Sequence, residues 1–333
     1  MIGHIALPEY SKVLDPTLKD EDILPATLAK EITTTLLREK LGFNGLVVTD
    51  ATAMAGFALP MPREKAVPMS IAAGNDMFLF TRNMDEDFYF MKKGIEEGVI
   101  TSERLDEALT RILGMKAALK LHTKQQNNEL APNLEKAKEI IGNPKHQEWA
   151  KECADKSITL VKEEKGVLPI SVEKHKRVLF YNLENTGSFF DGNNVTEEFR
   201  KLLGNEGFEI EVFNANKGME GMMTPSKDVL GKYDLIIYVA NIITKSNQTT
   251  VRIEWAMPMG INIPIYLTSI PTIFVSVENP YHLLDIPRVK TYINAYSSGE
   301  NILKEIVEKL MGRSEFKGTN PVDPFCGKWD TRL

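Results

Sequence analysis

GLVVTDATAM, residues 45–54, decides how this chain is read. Leu46, Val47, Val48 and β-branched Thr49 run without a break into Asp50. A short apolar run of this kind, after a helix, is expected as a parallel strand buried on both faces. The helix is ATLAKEITTTLLREKLGF, residues 26–43. Its apolar positions 28, 32, 36, 37 and 41 keep helical spacing, Pro25 precedes its first turn, and Gly42 stands where a C-cap belongs. A parallel strand delivers its last residue to the mouth of an α/β fold. Asp50 ends its strand there. A carboxylate so placed can be a nucleophile, a general base or a metal ligand, or it can cap the following helix. No further Asp, Glu or His clusters around it in sequence, which argues against a metal.

Working outward, MIGHIAL (1–7) reads as a strand and residues 8–25 as a polar loop with three prolines. Residues 51–62 read as a loop. REKAVPMSIAAG (63–74) has a helical pattern in which Pro68 must sit in a first turn or break the helix. NDMFLFT (75–81) reads as a second buried strand, and helices follow over 85–97 and 103–121, the latter opening on Thr101 or Ser102 as a cap. Residues 1–81 are thus βαβαβ, half of a doubly wound sheet or a piece of a (β/α)8 barrel. Residues 122–150 lose periodicity and read as a linker with a short helix. Residues 151–333 form a second α/β domain, with strands expected over 177–183, 208–214, 234–242, 272–279 and 291–297. Helices fit 194–207 and 300–313. No GxGxxG or GxxxxGK[ST] marks a nucleotide site.

The composition narrows the function classes. The net charge of −6 argues against a phosphate-binding surface, so no nucleic-acid partner is expected. No run is long and apolar enough for a membrane span, so no membrane partner is expected. Cys153 and Cys326 are too far apart and too few for a disulfide framework or a zinc site. Unpaired thiols lean toward a reducing compartment, the cytoplasm. His4, His122, His146, His175 and His282 show no HxH or HxxxH spacing, so neither a metal nor a cofactor is expected.

LLREKLGFNGLVVTDATAMAGF, preceded by PATL, resembles the nucleophile segment of family 3 glycoside hydrolases. The matching positions are Leu37-Arg38, Leu41-Gly42-Phe43, Gly45, Thr49-Asp50 and Met54. The likeness continues through AVPMSIAAGNDMFLF, GVITSERLDEALTRIL, ADKSITLVKEEKGVLPI and NPYHLLDIPRVKTYINAYS, over nearly the whole chain. HIALPEY and PATLAKEI are closest to the bacterial β-N-acetylglucosaminidase branch. The resemblance implies an α/β fold: the last three strands of a (β/α)8 barrel in residues 1–121, then an α/β/α sandwich. It implies a carbohydrate substrate and retaining hydrolysis of its terminal β-N-acetylglucosamine residues, with Asp50 attacking the anomeric carbon and a second group ~5–5.5 Å away protonating the leaving oxygen.

Nothing here matches that branch's acid/base His, its assisting Asp or its sugar-gripping Lys-His run. The resemblance therefore implies the C-terminal portion of an enzyme, without the acid that completes its reaction, or a sugar-binding remnant. Three strands of eight leave an open edge, for which self-association or a second chain is the expected cover. His4 and Arg63 are the candidate sugar contacts beside Asp50, with Met54 lining the pocket or simply packing. Asp76 is expected to be structural. Asp191 and His282 lie in second-domain loops, where ordinary loop polarity competes with a reach toward the site.

Overall fold

The computed structural model describes residues 1–333 apart from 165, 185–193, 216–223, 245–250 and 258. It divides into two compact units, Met1–Leu134 and Glu135–Leu333.

The first unit is built on a parallel pair, β1 (Val48–Ala51) and β2 (Met77–Leu79). Ile2 bridges Thr49 on the other flank of β1. Its N–H reaches the Val48 carbonyl at 2.8 Å, and its carbonyl accepts the Asp50 N–H at 2.9 Å. The strand expected over residues 1–7 is thus a single bridge. Pro8 opens helix α1 (Pro8–Leu14), and proline has no N–H with which to continue a ladder. The expected loop over 8–25 contains that helix.

The helix expected over 26–43 begins as tight turns and becomes regular at Glu31–Lys40. There the turns are wide: the Leu41 N–H returns five residues to the Leu36 carbonyl at 2.9 Å. Helix α2 (Ala55–Ala58) interrupts the expected loop after β1, and Phe57 on it is fully buried.

Helix α3 (Arg63–Ala72) carries Pro68 in its interior without breaking. Helix α4 (Met84–Glu96) packs so closely there that a Cβ on Gly94 would lie 2.3 Å from the Pro68 Cβ. That close packing holds the helix together across the missing hydrogen bond. Helix α5 (Ser102–Ala118) starts at Thr101, whose hydroxyl accepts the Arg104 N–H at 3.2 Å. Helix α6 covers Leu121–Gln126, and α7 (Leu134–Ile140) begins at the boundary and belongs to the second unit. The core of the first unit is small: Leu28, Phe57, Ala66 and Val67, with Phe78 and Phe90 packed against them.

The second unit carries a six-stranded sheet in the order β3-β8-β7-β6-β4-β5. The strands are β3 (Thr159–Lys162), β4 (Arg177–Glu184), β5 (Glu209–Val212), β6 (Leu235–Asn241), β7 (Thr272–Ser276) and β8 (Thr291–Asn294). All neighbours are parallel except β3 on β8. The parallel strands form a doubly wound order with its reversal at β4/β6. The central strands β4, β6, β7 and β8 were legible because they are buried on both faces and rich in Val, Ile and Tyr, whereas the edge strand β5 is largely exposed.

One face packs on helices α8 (Pro144–Ser157), α10 (Val195–Asn205) and α12 (Glu300–Leu310), through Phe199, Leu203, Ile306 and Leu310 among others. The short helix α9 is Val172–His175. The other face is covered by α11 (Ser226–Leu230) and by irregular chain bearing Ile253, Leu283 and Ile286.

Lys309 of α12 is fully buried, and its Nζ donates to Asp155 Oδ1 (3.0 Å), Ser314 Oγ (3.1 Å) and the Glu315 carbonyl (2.6 Å). Hydrogen bonds from Lys317 and Lys309 hold the Asp155 carboxyl down at about 2. His282 is also fully buried, between β7 and β8, with Nδ1 3.8 Å from Asp285 Oδ2. Asp191 lies outside the described residues.

Candidate active site

Asp50 is the third residue of β1. The ladder with β2 is irregular there: Val48 pairs with Met77 and Ala51 with Leu79, so three steps along β1 match two along β2. The extra residue falls at Thr49–Asp50. The Thr49 side chain spans the gap. Its Oγ1 accepts the Leu79 N–H at 3.0 Å and donates to the Asp50 carbonyl at 2.7 Å. A bulge of this kind re-aims a side chain, and bulges concentrate beside active sites.

Val47 and Thr49 are buried, whereas Val48 and Asp50 share a face that is only half covered. The strand is therefore buried on one face, not on both as its composition suggests. Asp50 Oδ1 accepts the Ala51 N–H at 2.7 Å. It caps no helix: α2 opens at Met54, and no side chain caps it.

His4 sits behind the next residue. Its Nε2 lies 3.0 Å from the Ala51 carbonyl and its Nδ1 2.8 Å from Thr27 Oγ1. A carbonyl only accepts, so Nε2 carries a proton. Both ring nitrogens are engaged within the protein. The ring leans on Phe57 with centroids 5.3 Å apart, and a Cβ on Gly56 would strike the His4 carbonyl at 2.7 Å. The geometry gives His4 the task of holding the backbone after Asp50.

Arg63 holds the residue beyond. Its Nε and Nη2 each donate to Asp87 at 2.6 Å, and Nη1 and Nη2 reach the Thr52 carbonyl and hydroxyl at 3.0 Å each. The Asp87 side chain is fully buried. A bidentate pair in this setting fixes the Arg63 guanidinium in place. Met54 is half-buried, and its carbonyl accepts the Phe57 and Ala58 N–H groups at 3.1 Å each. Asp50, His4, Met54 and Arg63 thus converge on one turn, each of them half-buried.

Asp76 stands at the opposite, amino end of the pair. Its Oδ2 accepts from Arg38 (2.8 Å) and the Val47 N–H (2.9 Å), and its Oδ1 from Arg104 (2.5 Å) and Arg111 (3.2 Å). Arg38 also donates to the carbonyls of Phe43, Gly45 and Gly74. Burial pulls the Arg38 pKa below its ordinary value, Asp76 opposes that, and the charges of Arg111 and Arg104 add to it. Gly42 has φ +67°, and a Cβ on Gly45 would meet the Phe43 ring at 2.6 Å. The fixed positions around Asp50 are therefore mostly the scaffold of its strand.

Residues 1–115 match the glycosyl hydrolase family 3 N-terminal domain. The chain belongs to glycoside hydrolase family 3. The β-N-acetylglucosaminidase/β-glucosidase of Cellulomonas fimi is 52% identical over 338 residues, which is 100% of this chain and 59% of that relative. The chain thus spans little more than half the length of this curated relative. Among solved structures, a β-glucoside phosphorylase (BglX) aligns with a TM-score of 0.87 and 43% identity, over 100% of this chain and 58% of that one. A family 3 β-N-acetylglucosaminidase from Paenibacillus aligns with a TM-score of 0.66 over 92% of this chain and 56% of that one. At 21% identity it supports the fold alone.

Sequence reasoning missed Thr49 as the residue that bridges the bulge, and Thr52 and Asp87 as partners of Arg63. The Thr-Asp pair was visible, but which hydroxyl replaces a ladder bond depends on register.

Proposed function

We propose that Asp50 is the nucleophile of a retaining reaction on terminal β-glycosides, with β-N-acetylglucosaminides and β-glucosides as the substrate class. The bulge carries this reading: it presents a half-covered carboxylate at the carboxyl end of a parallel pair, its main chain held by the Ile2 carbonyl and the Thr49 hydroxyl. In the first step an Asp50 oxygen attacks the anomeric carbon, the glycosidic C–O bond breaks, and the leaving oxygen departs with the bonding pair, taking a proton from solvent unless, like dinitrophenolate, it is stable as the anion. The product is a glycosyl ester on Asp50. In the second step an acceptor attacks the same carbon and restores the carboxylate.

The acceptor separates two readings. Water gives hydrolysis and a free sugar, as the name of the C. fimi relative implies. Inorganic phosphate gives a sugar 1-phosphate, as the name of the phosphorylase implies. Phosphate is already anionic and needs no base to activate it.

The test uses 2,4-dinitrophenyl β-N-acetylglucosaminide and β-glucoside, whose leaving group departs without an acid. The proposal expects dinitrophenolate release and a mass adduct on Asp50, both absent in Asp50→Asn. Adding phosphate then distinguishes sugar 1-phosphate from free sugar. Release that is equal in Asp50→Asn would overturn the assignment. Sugar binding with no release from either substrate would instead support the sugar-binding remnant.

A further inference from the structure

The second unit holds a feature that the glycosidase reading does not use. Five rings stand side by side across five adjacent strands. Tyr181, Tyr238, Phe274 and Tyr292 are register partners on β4, β6, β7 and β8. Phe213 follows the end of β5, and its N–H reaches the Phe180 carbonyl at 2.8 Å.

The rings are nearly parallel. From Phe213 to Tyr181, Tyr238, Phe274 and Tyr292 the successive centroid distances are 4.6, 4.2, 6.1 and 5.4 Å, with interplanar angles of 20, 10, 15 and 8°. The inner rings are buried within the layer, and burial pushes the Tyr181 hydroxyl up to about 12. Such offset stacks are favourable, and each ring covers the face of the next. The series stops at Phe213, because β5 is the edge strand.

A cavity of about 420 Å³ opens at that end. Phe213, Tyr181, Tyr233 and Tyr266 line it, with Leu179 and Val229 behind them. At its mouth Val212, Met259, Ile263 and Ile265 stand exposed to solvent, 44%, 76%, 36% and 61% respectively. Three charged groups stand at the rim: Lys232 and Glu211, which pair with each other, and the exposed carboxylate Asp228. Lys232 Nζ lies 2.5 Å from Glu211 Oε2 and 4.9 Å from the centre of the Tyr233 ring.

The site is therefore concave, mostly apolar and walled by rings, with a rim on which Asp228 adds a carboxylate to the Lys232–Glu211 pair and so disfavours an anion. These are the properties of a small-molecule site rather than of a protein contact. A ligand that is itself a flat ring extends the stack that ends at Phe213. A hydroxyl on that ring finds acceptors at the rim, whereas a charged ligand would have to compete with the Lys232–Glu211 pair.

We propose that this cavity binds a neutral, planar aromatic compound of the phenol class. The cavity is lined by residues of the second unit, and the proposal does not depend on the glycosidase reading.

The experiment titrates the 333-residue protein with phenol and with 4-nitrophenol at a pH where each is neutral, followed by ligand-observed NMR. Methyl β-glucoside and N-acetylglucosamine serve as the saccharide arm. Saturable binding of the phenols is expected, unchanged in Asp50→Asn. Phe213→Ala is expected to weaken it about five- to tenfold, the worth of one ring stack. Ile265→Glu, at an exposed position that puts no load on the fold, is expected to weaken it as much. Circular dichroism confirms that each variant folds. The proposal fails if the phenols do not saturate, if both cavity variants bind as the parent does, if binding disappears in Asp50→Asn, or if the saccharides alone compete for the Phe213 site.

Discussion

At the amino end of the β1–β2 pair, Asp76 gathers three guanidiniums and the Val47 N–H onto one carboxylate. At the carboxyl end, Asp50 accepts a hydrogen bond from the N–H of its own neighbour. One aspartate lies in β1 and the other immediately before its parallel partner β2, yet Asp76 is sealed and Asp50 half covered. The difference teaches where the unit puts its stability and where it leaves room for chemistry. Charges that hold the strands together are saturated and buried at one end. At the other, the backbone around Asp50 is fixed by His4, Thr49 and Arg63, so the carboxylate itself need not be.

The largest effect should come from Asp76→Ala. It leaves Arg38, Arg104 and Arg111 crowded without their shared partner and the Val47 N–H unpaired. Breaking a buried ion pair in this way costs about 3–5 kcal/mol. Urea unfolding of the parent and variant measures it. Asp50→Asn, in contrast, should shift stability by less than about 0.5 kcal/mol, the range for a position without buried partners, while abolishing the adduct. Equal destabilisation by the two substitutions would erase the distinction between the ends.

A smaller effect is expected for Arg63→Lys. An ammonium keeps the charge but cannot reach both Asp87 oxygens and Thr52 together. The loss should be about 2–3 kcal/mol, near the upper range for hydrogen bonds to charged groups. If Arg63 positions the turn after Asp50, adduct formation slows even under conditions where the variant is fully folded. If Arg63 contacts the sugar directly, the variant should instead raise KM with kcat unchanged.

The carboxyl end was harder to read than the amino end, for physical reasons. Asp50 was legible because an apolar run that ends in a carboxylate is unusual and its flanking residues match a family pattern. Arg38, Gly42 and Gly45 belong to that pattern, and the structure gives each a mechanical role. Asp87 was not legible: it follows Asp85 and Glu86 in the first turn of α4, where acids are ordinary. Only the phase of the helix turns it inward toward Arg63. Pro68 misled because the local rule for proline ignores the tight contact with Gly94 that holds α3 intact. In the second unit the strands were plain, but the aromatic stack was not. Rings on separate strands come into line only through register, and register is fixed by tertiary pairing.

Among the substitutions that disturb the scaffold, the smallest loss tests how the bulge works. Thr49→Val keeps the β-branched shape and removes the hydroxyl, leaving the Leu79 N–H without its acceptor. An unsatisfied buried donor costs about 1–3 kcal/mol, and the low end is expected because the bulge can relax toward a regular ladder. That relaxation is the informative part. A regular ladder slips Asp50 by one step relative to β2 and turns its side chain toward the buried face. Thr49→Val should therefore lose adduct formation by more than its stability loss explains, and Thr49→Ser should restore both. If Thr49→Val forms the adduct at the parental rate, the hydroxyl only satisfies a donor, and the aim of Asp50 is set by His4 and Arg63 alone.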